Sequence, residues 1–392
     1  MKENEFAVFK GIDGDNLPDL GVMIQACANK GLSGNVAAAY LTDMLVNDEN
    51  PYSLCLESGR DVGSLRQAVV HDMEIIGKLM KEGTSLPAFA GDFVPPDLKQ
   101  RAYDPSMAKK VSNLAFRLMS AESAGEMEKS LSSFYRENGV GKYALYRAFR
   151  LSGEGPDMSV VPIIGSIDVK LSDLVGYELQ KKKLTDNTEA FVAGKGANNC
   201  LLYGEAGTGK STCIKAVANE YYEKKLRVIE IYRHQFRELS ECMDRIRNRG
   251  YCFIIFMDDL SFEENETEYK YLKAVIEGGL EKRPGNVLIY ATSNRRHLIR
   301  EKYADRMEGT DLHAEDTVEE MLSLSGRFGV TILFESPDKD DYHDIVLSLA
   351  ERCGIDTDRD ELLSGADKWE IRHGGRSGRA AEQYIEYLRG ME

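Results

Sequence analysis

The octapeptide GEAGTGKS at 204–211 constrains this 392-residue chain more than any other feature. It fits G-x-x-x-x-G-K-[ST] and lies between an apolar run, 199–203, and an amphipathic run, 210–224, where a strand passes through a tight turn into a helix. Gly204, Gly207 and Gly209 clear the turn of side chains, so backbone N–H groups point inward, and the helix that follows presents its positive end. Such a turn holds phosphates. Lys210 would reach the β- and γ-phosphates, and the Ser211 hydroxyl would ligate Mg²⁺. The candidate nucleotide-binding residues here are Gly204, Glu205, Ala206, Gly207, Thr208, Gly209, Lys210, Ser211 and Thr212.

The surrounding rhythm agrees with that turn. Short apolar runs at 199–203, 227–232, 252–257, 287–292 and 330–334 alternate with helical stretches at 210–224, 235–248, 269–278 and 317–323. This is the signature of a parallel sheet covered by helices on both faces. The third run, FIIFMDDL at 253–260, ends in two carboxylates. Asp258 would hold the metal through its water shell, and Asp259 is placed to orient or deprotonate an attacking water. A carboxylate pair can also be a plain strand cap. Asp259 stands where the common pattern has Glu, and, one methylene shorter, it would sit farther from the water.

The flanks read differently. The first 150 residues predict helices at 35–46, 63–80, 108–120 and 126–135, with Gly and Pro clusters between them, and SGEGPDMSVVPIIG at 152–165 reads as a linker. After 340, apolar periodicity predicts helices at 341–352, 358–371 and 376–389. The expected domains are 1–155, helical; 156–337, α/β; and 338–392, a helical lid. The formal charge of −15 counts against a protein that coats nucleic acid, since phosphate binding draws on clustered Lys and Arg. Two local basic runs, NRRHLIREK at 294–302 and DRIRNRG at 244–250, could face a pore, a nucleic acid or a neighbouring subunit, or form a solvated, salt-bridged surface. Seven cysteines without a Cys-x-x-Cys pair suggest reduced thiols rather than disulfides or zinc. The N-terminal segment lacks the apolar core of a secretory signal, and no apolar run approaches the roughly 20 residues that span a bilayer, so the expected location is the cytoplasm.

The phosphate loop, the DD-ended strand, the next strand finishing in YATSN at 290–294 and the late GRF at 326–328 together resemble an AAA+ ATPase module. LVGYELQ, MDDLSFEE, EGGLEKRPGNVLIYATSNRRHLI and GGRSGRAA are similar to a bacterial family of predicted AAA+ ATP-binding proteins, over about 165–392. The resemblance implies an α/β P-loop NTPase with a C-terminal helical lid, here preceded by an all-α region, that hydrolyses ATP with Mg²⁺. It implies roles residue by residue. Asn294 matches the polar sensor that positions the attacking water. Arg327 matches the arginine finger that reaches a neighbouring subunit's γ-phosphate, which implies a homo-oligomer. Arg376, with Arg379 as the alternative, matches the lid arginine that reports the γ-phosphate, and Val175 and Gly176 would lie near the adenine. A protein client engaged by the N-terminal region is the expected partner. A slow ATP-dependent switch or adaptor, favoured by Asp259 in place of Glu, and a nucleic-acid-associated ATPase are the rival readings.

Overall fold

The computed structural model describes residues 6–391, apart from 10, 11, 14, 15, 83–85, 166–168, 263–267, 278–282 and 295–324. Two compact units make up the chain: Met1–Phe149 with Val161–Ser166 and Asn248–Tyr251, and Arg150–Val160 with Ile167–Arg247 and Cys252–Glu392. Among the described residues no helix is long and apolar enough to cross a membrane.

The first unit is helical. Helices run over Val36–Asn47, Leu65–Glu82, Pro105–Ser120 and Ala124–Asn138, near the expected positions, and the shorter Leu20–Lys30, Pro51–Glu57, Ala88–Gly91 and Gly141–Leu145 add to them. Local chemistry sets several starts. Asn50 and Ser53 form a reciprocal capping box with Pro51 at the first helical position, and the Asp104 carboxylate accepts from the amides of Ser106 and Met107. Buried carboxylates tie the elements together. Asp72, fully buried, accepts the N–H groups of Ala7, Val8 and Phe9 at 2.7, 2.7 and 3.1 Å. Glu57 receives the Arg249 guanidinium at 2.7 and 2.8 Å together with the amides of Val140 and Gly250, and Arg249 also pairs with Glu49. One of the three arginines of the 244–250 run is thus a buried anchor, because carboxylates surround it on two sides.

The second unit is built on a seven-stranded sheet of β1 (Ala148–Ser152), β2 (Ser159–Pro162), β3 (Cys200–Gly204), β4 (Leu226–Glu230), β5 (Cys252–Met257), β6 (Val287–Ser293) and β7 (Val330–Phe334), in the order β2-β1-β4-β5-β6-β3-β7. The pairs β4–β5, β5–β6, β6–β3 and β3–β7 are all parallel. The α/β class expected from the sequence is what forms. β5 and β6 are buried along most of their length, as near-continuous apolar runs must be when both faces are covered. The expected linker at 152–165 instead contains the last residue of β1, the turn after it and all of β2, which forms the sheet edge. Its Gly and Pro residues are concentrated in the turn between them, which composition alone does not separate from a linker. The predicted helix at 317–323 and the basic run after Asn294 lie outside the described residues.

Strand order places the chemistry. β3 sits between β6 and β7 although it precedes both in sequence, so the chain must cross over beside it and open a crevice at the carboxyl ends. Register brings Met257 level with Ala291 and Tyr203 level with Ser293, so the residues that follow β3, β5 and β6 emerge side by side. Three helices, Lys339–Cys353, Arg359–Arg372 and Gly378–Arg389, pack on a small core of Tyr342, Val346, Leu362, Ala366, Ala381 and Ile385. Each is capped by a side-chain oxygen one residue ahead of it, from Asp338, Asp358 and Ser377.

Candidate nucleotide site

The phosphate loop leaves β3 at Gly204 with φ +136°, and a Cβ there would lie 1.9 Å from the Phe334 carbonyl oxygen, so only glycine lets β7 pass this close. The loop turns through Gly207 and Gly209, both at positive φ, into the helix Lys210–Glu220. The last lid helix begins against it: the Arg379 amide donates to the Gly207 carbonyl at 3.3 Å, and a Cβ on Gly207 would meet Arg379 and Ser377 at 3.1 Å.

Loop, strand ends and C-terminal helices line a cleft of about 620 Å³. Ala206, Gly207, Thr208, Gly209, Lys210, Ser211 and Thr212 line it, as do Asp258, Asp259, Thr292 and Asn294. The other wall is apolar, with Val169, Leu174, Val175, Tyr177, Ile345 and Leu349. Among the described residues the charged groups at the cleft are Lys210, Arg352 and Arg379 against Asp173, Asp258, Asp259 and Glu382. An anionic ligand therefore depends on a few well-placed donors rather than on the general field.

A continuous hydrogen-bonded chain crosses the cleft floor. Lys210 Nζ, on a residue only 6% exposed, donates to the carbonyls of Gly204 and Glu205 at 2.9 and 2.6 Å and to Asn294 Oδ1 at 3.2 Å. Asn294 Nδ2 donates in turn to Asp259 Oδ1 at 2.9 Å. Ser211 Oγ and Thr292 Oγ1 both donate to Asp258 Oδ1 at 2.5 Å. Burial holds the Lys210 ammonium below the usual lysine range, against the pull of Asp259, Asp258 and Glu205. Ser211 and Asp258 bring two hard oxygen donors together at the end of the lysine's reach, a donor set suited to Mg²⁺.

The remaining expected residues are distributed as follows. Glu205 lies in the loop, with its carbonyl on Lys210 and Thr208. Val175 lines the cleft, whereas Gly176 does not and serves as a left-handed turn, φ +75°, between Val175 and Tyr177. Arg376 does not line the cleft: its Nε donates to Glu370 at 2.7 Å. Arg379, in the first turn of the helix that follows, does. Arg327 is exposed and does not line the cleft, and it stands just before the buried Phe328. Arg245 and Arg247 pair with Glu241 and Asp244 along their own helix and its end, and Tyr271 stays exposed under Arg237 while Tyr269 is buried against Phe262. Sequence reasoning did not single out Thr292, Tyr177, Arg352 or Glu382. Thr292 was accessible to it: two residues before Asn294 on one strand, it faces the same side. Nothing local marks the lid residues.

The sequence profile of a family described as "Protein of unknown function (DUF815)" matches residues 144–392. Over 73 residues the chain is 36% identical to the "Replication factor C large subunit" of Staphylothermus marinus, a match taking in 18% of this chain and 16% of that protein. Among solved structures, the Thermotoga maritima RuvB Holliday junction branch migration motor is similar with a TM-score of 0.39 and 17% identity, covering 57% of this chain and 64% of that one. A variant of the same RuvB gives a TM-score of 0.41 at 17% identity, over 57% and 65%. The chain thus spans a sixth of the length of that curated relative and just under two thirds of those solved chains. The unit carrying the cleft is a mostly parallel sheet flanked by helices, with further helices at its C-terminal end.

Proposed function

We propose that this chain, which belongs to the family described as "Protein of unknown function (DUF815)", binds ATP in the cleft and hydrolyses it to ADP and phosphate. One observation carries the reading: Lys210, Ser211, Asp258, Asp259 and Asn294, from three separate strand ends, converge in one cleft lined by a glycine-rich loop. The loop amides and Lys210 would bind the β- and γ-phosphates. Ser211 and Asp258 would hold Mg²⁺, whose charge, when bound, offsets that of the phosphates. Asp259 accepts a hydrogen bond from the attacking water and then its proton, and Asn294 fixes the carboxylate that does so. Lys210 offsets the charge that gathers on the transferring group. Val175 and Tyr177 with Ile345 and Leu349 supply an apolar wall for the base.

Arg327, exposed and outside its own cleft, supports a homo-oligomer in which it completes a neighbour's site. A protein client, engaged through the N-terminal unit, is favoured over nucleic acid because the described arginines at 245, 247 and 249 are each matched by a carboxylate. The test is turnover and nucleotide binding in purified protein. Lys210→Ala should lose both, and Asp259→Asn should keep ATP bound without turnover. If Lys210→Ala matched wild type in affinity and rate, the ATPase reading would be wrong. Mass photometry with ATP that gave only monomers, with full activity in Arg327→Ala, would remove the oligomer. Strong stimulation by single-stranded DNA at low salt would replace the protein client with nucleic acid.

A further inference from the structure

Asp259 has φ +50°, a left-handed conformation that a residue with a Cβ adopts at a cost of about 1–2 kcal/mol. Strain of this kind persists only where neighbours over-determine it. Here both neighbouring amides are pinned by one residue of the adjacent strand. The Asp259 N–H donates to Thr292 Oγ1 at 2.9 Å, and the Leu260 N–H donates to the Thr292 carbonyl at 2.7 Å. The same Thr292 hydroxyl gives its single proton to Asp258 Oδ1 at 2.5 Å. Thr292 is 2% exposed, and its hydroxyl donates to one carboxylate and accepts from the amide of the next.

From this geometry we infer that Thr292 is a positioning residue for the reaction: its hydroxyl locks the Asp258–Asp259 pair, holding Asp259 in the left-handed kink that turns its carboxylate onto Asn294. The inference rests on the ATPase reading and adds a residue to it. The kink also addresses the short side chain. Asp lacks the methylene of the Glu common at this position, yet it reaches Asn294 Nδ2 at 2.9 Å because the backbone turns rather than because the side chain extends. The β5–β6 register makes this possible, since Met257 lies level with Ala291 and the kink therefore begins opposite Thr292.

The experiment compares full-length wild type, Thr292→Val and Thr292→Ser, with Lys210→Ala as control, measuring MgATP affinity and single-turnover hydrolysis separately. Valine keeps the shape and removes the hydroxyl, and serine restores the hydroxyl alone. Groups that orient a catalytic site from outside it typically contribute about 10- to 100-fold. Thr292→Val should therefore lose about 10- to 100-fold in the hydrolysis rate with ATP affinity within about threefold of wild type, and Thr292→Ser should recover to within about threefold. Should Thr292→Val fail to fold, Thr292→Ala removes the hydroxyl without adding bulk to the strand. An unchanged rate in the hydroxyl-free variant, or an equal loss in Thr292→Ser, overturns the inference while Lys210→Ala remains inactive. If Lys210→Ala also hydrolyses ATP normally, the ATPase reading itself has failed.

Discussion

Two arginines at the start of the last helix, Arg376 just before it and Arg379 in its first turn, make the sharpest prediction. Arg379 lines the cleft, and its own backbone amide touches the phosphate loop at Gly207. Arg376 instead donates to Glu370 at 2.7 Å, and Glu370 holds its guanidinium above the usual arginine range. A guanidinium facing ATP phosphates makes charge-assisted hydrogen bonds, each worth about 1.5–3 kcal/mol. Arg379→Ala should therefore weaken MgATP about 10- to 150-fold, by 1.36 kcal/mol per decade. Removal of the Arg376 guanidinium takes nothing from the cleft, so Arg376→Ala should bind MgATP within about threefold of wild type. Isothermal titration with MgATP and MgADP reads both, and the Arg379→Ala loss should be larger for ATP if the arginine meets the γ-phosphate. Thermal unfolding of each variant controls for damage to the lid. Equal losses in the two variants, or an Arg379→Ala affinity within threefold of wild type, would refute the assignment.

Two further outcomes follow from the charges. Because Lys210 in the free protein is held below the usual lysine range and must be protonated to bind phosphate, ATP affinity should fall as pH rises through that depressed value. In Lys210→Arg, whose guanidinium stays charged throughout, this alkaline fall should vanish, as titrations between neutral and alkaline pH would show. In the first unit, Arg249→Met leaves Glu57, whose side chain is 1% exposed, without its guanidinium. Breaking a buried pair in this way costs about 3–5 kcal/mol, so hydrogen exchange in Pro51–Glu57 and Gly141–Leu145 should speed by at least a hundredfold. A change under threefold would show that the pair contributes little.

Much of the nucleotide unit is legible in its residues. The runs that become β3, β5 and β6 are short and almost wholly apolar, as burial on both faces of a parallel sheet requires, whereas edge strand β7 alternates buried and exposed residues. Lys210, Ser211, Asp258, Asp259 and Asn294 are each legible in the sequence, because each follows a recognisable strand. The short helices Pro51–Glu57 and Gly141–Leu145 escaped because too few turns form to show a period, and packing rather than propensity holds them. β2 escaped because a hairpin with Gly and Pro in its turn has the composition of a linker, and β1, five residues long, is too short to show a period of its own.

Sequence by itself determined the residue types at the cleft floor, since phosphate binding requires amides free of side chains and a lysine at a set distance along the chain. Tertiary structure alone decided which of two arginines lines the cleft. Arg376 and Arg379 belong to the same short segment and carry the same charge, and only the helix start at Gly378, capped by Ser377, turns one toward Gly207 and leaves the other on Glu370. It also decided that Asp259 takes a left-handed backbone, because that depends on which residue of β6 lies opposite the end of β5. Strand register is a property of the packed sheet, and neither strand contains it alone.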